Sequence, residues 1–282
     1  MSVAAPLTGS SIGNERDLQA FIATVDRAIG VQLVGKEYLI ESRLQPVATT
    51  LGLDSVDAVL AAVRRGDRTA EAAAIEAMTT NETSFFRDQH PFESLAEHVL
   101  PELAERQERV TIWNGACSSG QESYTLAMSI LDRVPALAMP NRTTILSTDV
   151  SPEMVARTRA ASYSRFEVNR GLSTQLAIKH FDQTGRTWTA KPALRSMIDA
   201  REMNLLEPWR GVPRCDLVLL RNVLIYFTVP VRQDIFRRIR TEVLKPGGLL
   251  LLGASESPSG VDDAWAVERI GSSTFFTPKG TS

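Results

Sequence analysis

Four short runs of almost unbroken apolar residues constrain this chain more than any other feature: VTIWN from Val110, TTILSTD from Thr143, CDLVLLRN from Cys215 and GLLLLGAS from Gly248. Each is too apolar to be a strand with one wet face. Helical segments beginning near Ser119, Ser151 and Thr228 lie between or after them. Strands buried on both faces and alternating with helices predict a parallel sheet covered by helices on both sides. Ser151-Pro152 and Val229-Pro230 support two of those helix starts, because the first helical turn does not need the missing N–H. The rhythm breaks from about Phe181 to Met203, where TGRTWTA and RSMIDAREM read as short antiparallel strands of a small β insertion. WAVERI and STFFTPK read as a terminal antiparallel hairpin at the sheet edge.

Ahead of the sheet, residues 17–78 read as a small helical bundle. Leu18, Phe21, Ile22, Val25 and Ile29 recur on one helical face, Asp54 and Ser55 can cap a helix carrying Val56, Val59, Leu60 and Val63, and TAEAAAIEAM has high helix propensity. The first ten residues, small and polar, are expected to fray. The polar run TTNETSFFRDQHP then joins bundle to sheet, which divides the chain into a helical domain (1–78), a linker contributing to a cleft (79–90) and an α/β domain (91–282) with its insertion near 181–203. A net charge of -2 gives no electrostatic case for nucleic acid or an anionic membrane. MSVAAPLTGSSIGNE lacks the basic and apolar regions of a signal peptide, and LVLLRNVLIYF is too short and polar to span a bilayer. Cys117, Cys215 and three scattered histidines make neither a disulfide framework nor a metal site. A cytoplasmic protein without a metal is expected.

In an open α/β sheet, ligands bind outside the carboxyl ends of the strands. Four such ends are polar here. After VTIW comes Asn114-Gly115-Ala116-Cys117-Ser118-Ser119-Gly120, whose small residues admit close approach to the backbone and whose following helix favours an anionic group. Tight packing explains such a turn equally well, and Cys117 reads as a packing residue. Glu122, one turn into that helix, is either a carboxylate for a cationic ligand or simply a favourable first-turn charge. Asp149 closes TTILSTD where ribose hydroxyls usually find an acidic partner, although a helix cap before Ser151-Pro152 competes. Asn204-Leu205-Leu206 could meet an adenine edge or make a turn. Arg221-Asn222 closes CDLVLL and is poor core material, so a functional role leads there. Phe85-Phe86, inside the polar junction, suggests a segment packed over a cleft. Tyr226 falls four residues after Asn222, on the same face if the segment is helical.

Met78-Thr79-Thr80-Asn81-Glu82-Thr83 with Phe85-Phe86-Arg87, Ala116-Cys117-Ser118-Ser119-Gly120-Gln121-Glu122, Asn204-Leu205-Leu206 and Arg221-Asn222-Val223-Leu224-Ile225-Tyr226-Phe227 occur in the order that resembles the CheR family of chemotaxis methyltransferases. The resemblance runs on to Gly253-Ala254-Ser255-Glu256. It implies a class I, Rossmann-like methyltransferase sheet with an N-terminal helical domain and a small antiparallel β subdomain. It also implies S-adenosyl-L-methionine as donor, S-adenosyl-L-homocysteine as product, and glutamate side chains on the cytoplasmic domain of bacterial chemoreceptors as acceptors. Carried over position by position, Asn81, Thr83, Arg87, Glu122, Asp149, Asn204, Leu205, Arg221 and Asn222 match cofactor contacts, and Arg87 and Tyr226 match positions that orient the acceptor. A monomer is expected. The chain departs from the family pattern at Gln121 and Ser123, in the short stretch Asp182 to Met203, and in residues 1–76, where seven Lys/Arg face ten Asp/Glu. A class I methyltransferase with another acceptor, or a signalling module that binds S-adenosylmethionine or a nucleotide, are the alternatives. Arg87, Asn222 and Tyr226 occurring together favour catalysis.

Overall fold

The computed structural model describes residues 12–280; the first ten residues, expected to fray, lie outside the described residues. The chain forms two compact units, one holding residues up to Thr80 together with Tyr226–Thr228, the other Asn81–Ile225 and Val229 onward.

The first unit contains four helices: α1 (Glu15–Ile29), α2 (Glu37–Leu51), α3 (Val56–Arg64) and α4 (Arg68–Met78). Their starts are written in the sequence. The side chains of Asn14, Ser55 and Asp67 accept backbone N–H groups of the first turns of α1, α3 and α4, and Gly30 and Gly52 end α1 and α2 with left-handed backbone. The apolar face expected for α1 is buried, with Phe21 and Val25 almost fully so, along with Ile40 and Leu44 of α2, Val59 and Leu60 of α3 and Met78 of α4. Arg43 on α2 donates to the carbonyls of Met78 and Thr79, each at 2.9 Å, and so closes the end of α4.

The second unit opens with a helical stretch made of α5 (His90–Ser94), one π-helical turn and α6 (Leu100–Arg106), followed by β1 (Val110–Gly115), α7 (Gln121–Arg133), β2 (Thr143–Asp149) and α8 (Pro152–Ala160). Next come β3 (Ser162–Ser164), α9 (Arg165–Asn169), α10 (Thr174–His180), β4 (Phe181–Thr184), β5 (Thr187–Ala190), α11 (Pro192–Arg195) and β6 (Ile198–Glu202). The chain ends with β7 (Cys215–Leu220), α12 (Val229–Arg238), β8 (Leu244–Leu252), β9 (Trp265–Ile270) and β10 (Ser273–Pro278). The main sheet has the order β6-β2-β1-β7-β8-β10-β9. Its first five strands run parallel, and the β9–β10 hairpin adds two antiparallel ones at the edge. The four apolar runs are its central strands, fully buried in β7. Ile112, Ile145, Leu217, Leu219, Leu251 and Phe275 share one core with Leu126 and Ile130 of α7.

Three expectations change. RSMIDAREM is not part of the small antiparallel sheet: β6 pairs in parallel with β2, Ile145 opposite Ile198. As an edge strand it has one wet side, so its polar alternation imitates an antiparallel strand. The small sheet instead takes the order β3-β5-β4 and begins at Ser162. The junction does not stand apart as a linker from 79 to 90, because from Asn81 it belongs to the second unit. Phe85 anchors it there, with ring centroids 5.1 Å from Tyr163 and 5.6 Å from Phe181. At Gly171, whose φ is +111°, an added Cβ would lie 1.9 Å from the Phe85 carbonyl oxygen, so the backbone of the α9–α10 loop passes directly against this strap. Finally, Tyr226 does not share a helical face with Asn222. Asn222 is left-handed (φ 60°), and only a 3₁₀ turn, Leu224–Tyr226, follows it. No single described helix is long and apolar enough to cross a membrane.

Candidate active site

The carboxyl ends of β1, β2 and β7 are tied together by direct bonds. Asp149 ends β2. Its Oδ2 accepts the N–H of Ser118 at 2.8 Å, and its Oδ1 that of Ser151 at 3.0 Å. The cap of α8 is Ser151 itself, whose Oγ accepts from Met154 N, so Asp149 is not the helix cap but the latch of the β1–α7 turn. Burial pushes its carboxyl above the usual aspartate range, opposed by N–H groups of Ser151, Ser118 and Val150. Each carboxylate oxygen has further lone-pair capacity, which suits a diol.

The glycines of the turn answer to packing. An added Cβ at Gly115 would stand 2.9 Å from Leu220, and one at Gly120, where φ is +90°, 2.8 Å from Thr158 Oγ1. Packing against Leu220 and Thr158 thus requires glycine at both positions. Cys117 is buried; burial first, then the charge of Asp149, push its thiol well above the ordinary range, in keeping with a packing role.

Glu122, in the first turn of α7, accepts from Arg221 Nη1. Arg221 also donates to Asp88 Oδ2 at 2.6 Å and lies 5.4 Å from the Phe92 ring centre. Burial pushes the Glu122 carboxyl upward, and Arg221 works against that shift. This arginine is 1% exposed at its side chain, which makes it the hub of a buried ion cluster as well as a possible ligand contact. Its Nε is buried without a partner, and so is Oδ1 of Asn222. The strap joins the same network: Ser118 Oγ donates to the Asn81 carbonyl at 2.9 Å, and Phe86 N–H to Thr125 Oγ1 at 3.1 Å. Arg87 Nη1 donates to the Glu82 carbonyl at 3.0 Å, while Thr83 is half-buried between them. Among the described residues eight non-glycine residues have positive φ, and six of them (Phe86, Asp88, Gln89, Ala116, Ser118 and Asn222) lie in these loops. Sparsely populated backbone concentrated in this way is a mark of functional loops.

The loop after β6 begins beside Asp149, with Met203 N–H on its carbonyl at 2.8 Å. Asn204 Oδ1 accepts Leu206 N–H at 2.9 Å, the turn-making role that competed in the sequence. The Leu205 carbonyl receives Trp209 Nε1 and Arg238 Nη1, at 3.1 and 3.2 Å. Tyr226 is half-buried and groups with the first unit.

Asp88, Glu256 and Arg238 were not read as site residues. Glu256 accepts three backbone N–H groups around Asn222, and Arg238 stacks 3.8 Å from the Trp209 ring centre beneath the Asn204–Leu205 loop. The available signal was an acidic residue just past the apolar run that forms β8; nothing in the sequence marked Arg238.

A parallel sheet carrying an acidic residue at the end of β2, a small-residue turn after β1 and buried unpaired polar atoms after β7 defines a Rossmann-like α/β protein with a ligand site at its strand ends. Residues 81–272 match the family described as CheR methyltransferase, SAM binding domain. The chain belongs to the CheR methyltransferase family. Chemotaxis protein methyltransferase 1 of Pseudomonas aeruginosa is 36% identical over 93% of this chain and 98% of its own length. Chemotaxis protein methyltransferase Cher2 of Pseudomonas putida is 36% identical over 95% and 100%. Chemotaxis protein methyltransferase 1 of Vibrio cholerae is 35% identical over 94% and 98%. The residues present fit the donor: Asn222 Oδ1 offers a buried acceptor for an ammonium group, and Asp149 retains capacity for hydroxyls.

Proposed function

We propose that the protein esterifies glutamate side chains on the cytoplasmic domain of bacterial chemoreceptors, acting as a monomer in the cytoplasm. In this reading Asn81, Thr83, Arg87, Glu122, Asp149, Asn204, Leu205, Arg221 and Asn222 hold S-adenosylmethionine. The observation that carries it is the buried, unpartnered Oδ1 of Asn222, on a left-handed turn directly after the Arg221–Glu122 pair.

A glutamate side chain has an ordinary pKa of about 4.3 and arrives as a carboxylate, so it needs no general base. When bound, the donor would supply an activated methyl group on a sulfonium, with a neutral thioether as its leaving group. The chain's contribution is alignment and exclusion of water. Arg87 is fixed at one nitrogen by the Glu82 carbonyl, and its remaining N–H donors suit a carboxylate. That contact also stabilises the ground state, so Arg87 serves orientation. The Tyr226 hydroxyl supplies a hydrogen bond to the acceptor.

Labelled donor incubated with the protein and chemoreceptor membranes should give base-labile methyl incorporation. At saturating donor Tyr226→Phe should lower the rate about tenfold to hundredfold, one hydrogen bond to a charged group. Base-stable incorporation would overturn the acceptor, donor binding without transfer would leave a binding module, and an unchanged rate would remove Tyr226 from the mechanism.

A further inference from the structure

The carboxylate of Glu256 is surrounded by main chain. Oε2 accepts the N–H of Asn222 at 2.6 Å and that of Gly253 at 2.9 Å, and Oε1 accepts the N–H of Leu224 at 2.7 Å. Three N–H groups from two separate stretches, the end of β8 and the turn after β7, therefore converge on one buried side chain. Gly253 permits the approach: a Cβ there would lie 2.7 Å from both Asn222 Nδ2 and Glu256 Oε2. Asn222 is left-handed, a conformation sparsely populated in residues with a Cβ, although asparagine tolerates it better than most. Its Oδ1 is buried without a partner. The Leu224 N–H that Glu256 holds opens the 3₁₀ turn leading to Tyr226.

We infer that Glu256 is a positioning residue for methyl transfer. It touches no reactant; it clamps the turn after β7 so that Asn222 keeps the left-handed backbone on which donor binding depends. The inference rests on reading Asn222 as a donor contact. Without the clamp three buried N–H groups lose their acceptor, and Asn222 relaxes to an ordinary conformation that moves its amide.

Calorimetric affinity for S-adenosylhomocysteine, measured in wild type, Glu256→Gln, Asn222→Ala and the double variant, tests this without any acceptor. The near-isosteric glutamine keeps one acceptor oxygen but sets an amide NH₂ against an N–H. Affinity should fall about tenfold in wild type but no more than about twofold further in the Asn222→Ala background, since residues acting through each other are not additive. Glu256→Asp, one methylene too short to reach all three groups, should show the same pattern. Hydrogen exchange at Asn222 and Leu224 should quicken while that of β1 stays unchanged. Equal losses in both backgrounds, or no loss, would overturn the clamp. Wild-type affinity in Asn222→Ala alone would instead overturn Asn222 as a donor contact.

Discussion

The β1–β2 end of the sheet and the β7 end both carry buried polar residues and treat them differently. At the first, hydrogen bonds close on themselves: Asp149 to the backbone of Ser118 and Ser151, Asn114 to Ser123 at 2.9 Å, Ser123 to Ser147 at 2.7 Å, and Trp113 Nε1 to Thr148 at 2.9 Å. At the second, Arg221 joins Glu122 and Asp88 yet leaves its Nε bare, and Asn222 leaves Oδ1 bare. A region that satisfies its own polar groups gives the same shape with or without a ligand. A region with buried groups left over gains most when a ligand supplies the missing partners.

The sharpest break in this comparison comes from Arg221→Met, which strands the Glu122 carboxylate and should lower the unfolding free energy in urea by about 3–5 kcal/mol. Adding Glu122→Gln should restore part of the loss, and no restoration would mean that the ion pair is not what the arginine supports. Asp149→Ala comes next. With two N–H acceptors gone, stability should fall by about 2–4 kcal/mol together with S-adenosylhomocysteine affinity. Weakened binding at unchanged stability would make Asp149 a ligand residue only. Gly120→Ala, strained at φ +90° and crowded by Thr158, should cost about 1–3 kcal/mol, and Thr158→Ser should recover little, because the strain and the Oγ1 contact both remain.

The smallest effect is a pH dependence. Burial raises the folded-state pKa of Asp149 above the ordinary 3.8, so the folded chain holds this proton more tightly than the unfolded one. Ionisation in the window above 3.8 therefore costs the folded state stability, and the penalty is absent below that window. Asparagine at 149 does not titrate. Wild-type stability minus that of Asp149→Asn should fall as pH rises through the window and then level off; a rising difference would reverse the assignment of burial as the dominant cause.

The central strands and the terminal hairpin were legible because short apolar runs, bounded by polar turns and separated by helical segments, fit buried parallel strands. β6 was not, since an edge strand looks half-wet. The polar positions Asp149, Glu122, Arg221 and Asn222 could be picked out because strand ends are where an α/β sheet places ligands. What they touch could not. Asp88 lies 133 residues from Arg221, Glu256 lies 34 from Asn222, and no local pattern encodes such pairings. The glycines of the β1–α7 turn show the converse: their chemistry invited a ligand, and only the positions of Leu220 and Thr158 reveal that packing requires them as well. Spacing failed at Tyr226, where one left-handed residue broke the helical count.

The contact between Gly171 and the Phe85 carbonyl has a consequence for engineering. A segment from 162 to 190 grafted in from a relative brings its own residue to position 171. Anything but glycine there would displace the strap that carries Arg87. Keeping Gly171 removes that clash, and Tyr163 and Phe181, whose rings hold Phe85, have to be kept with it.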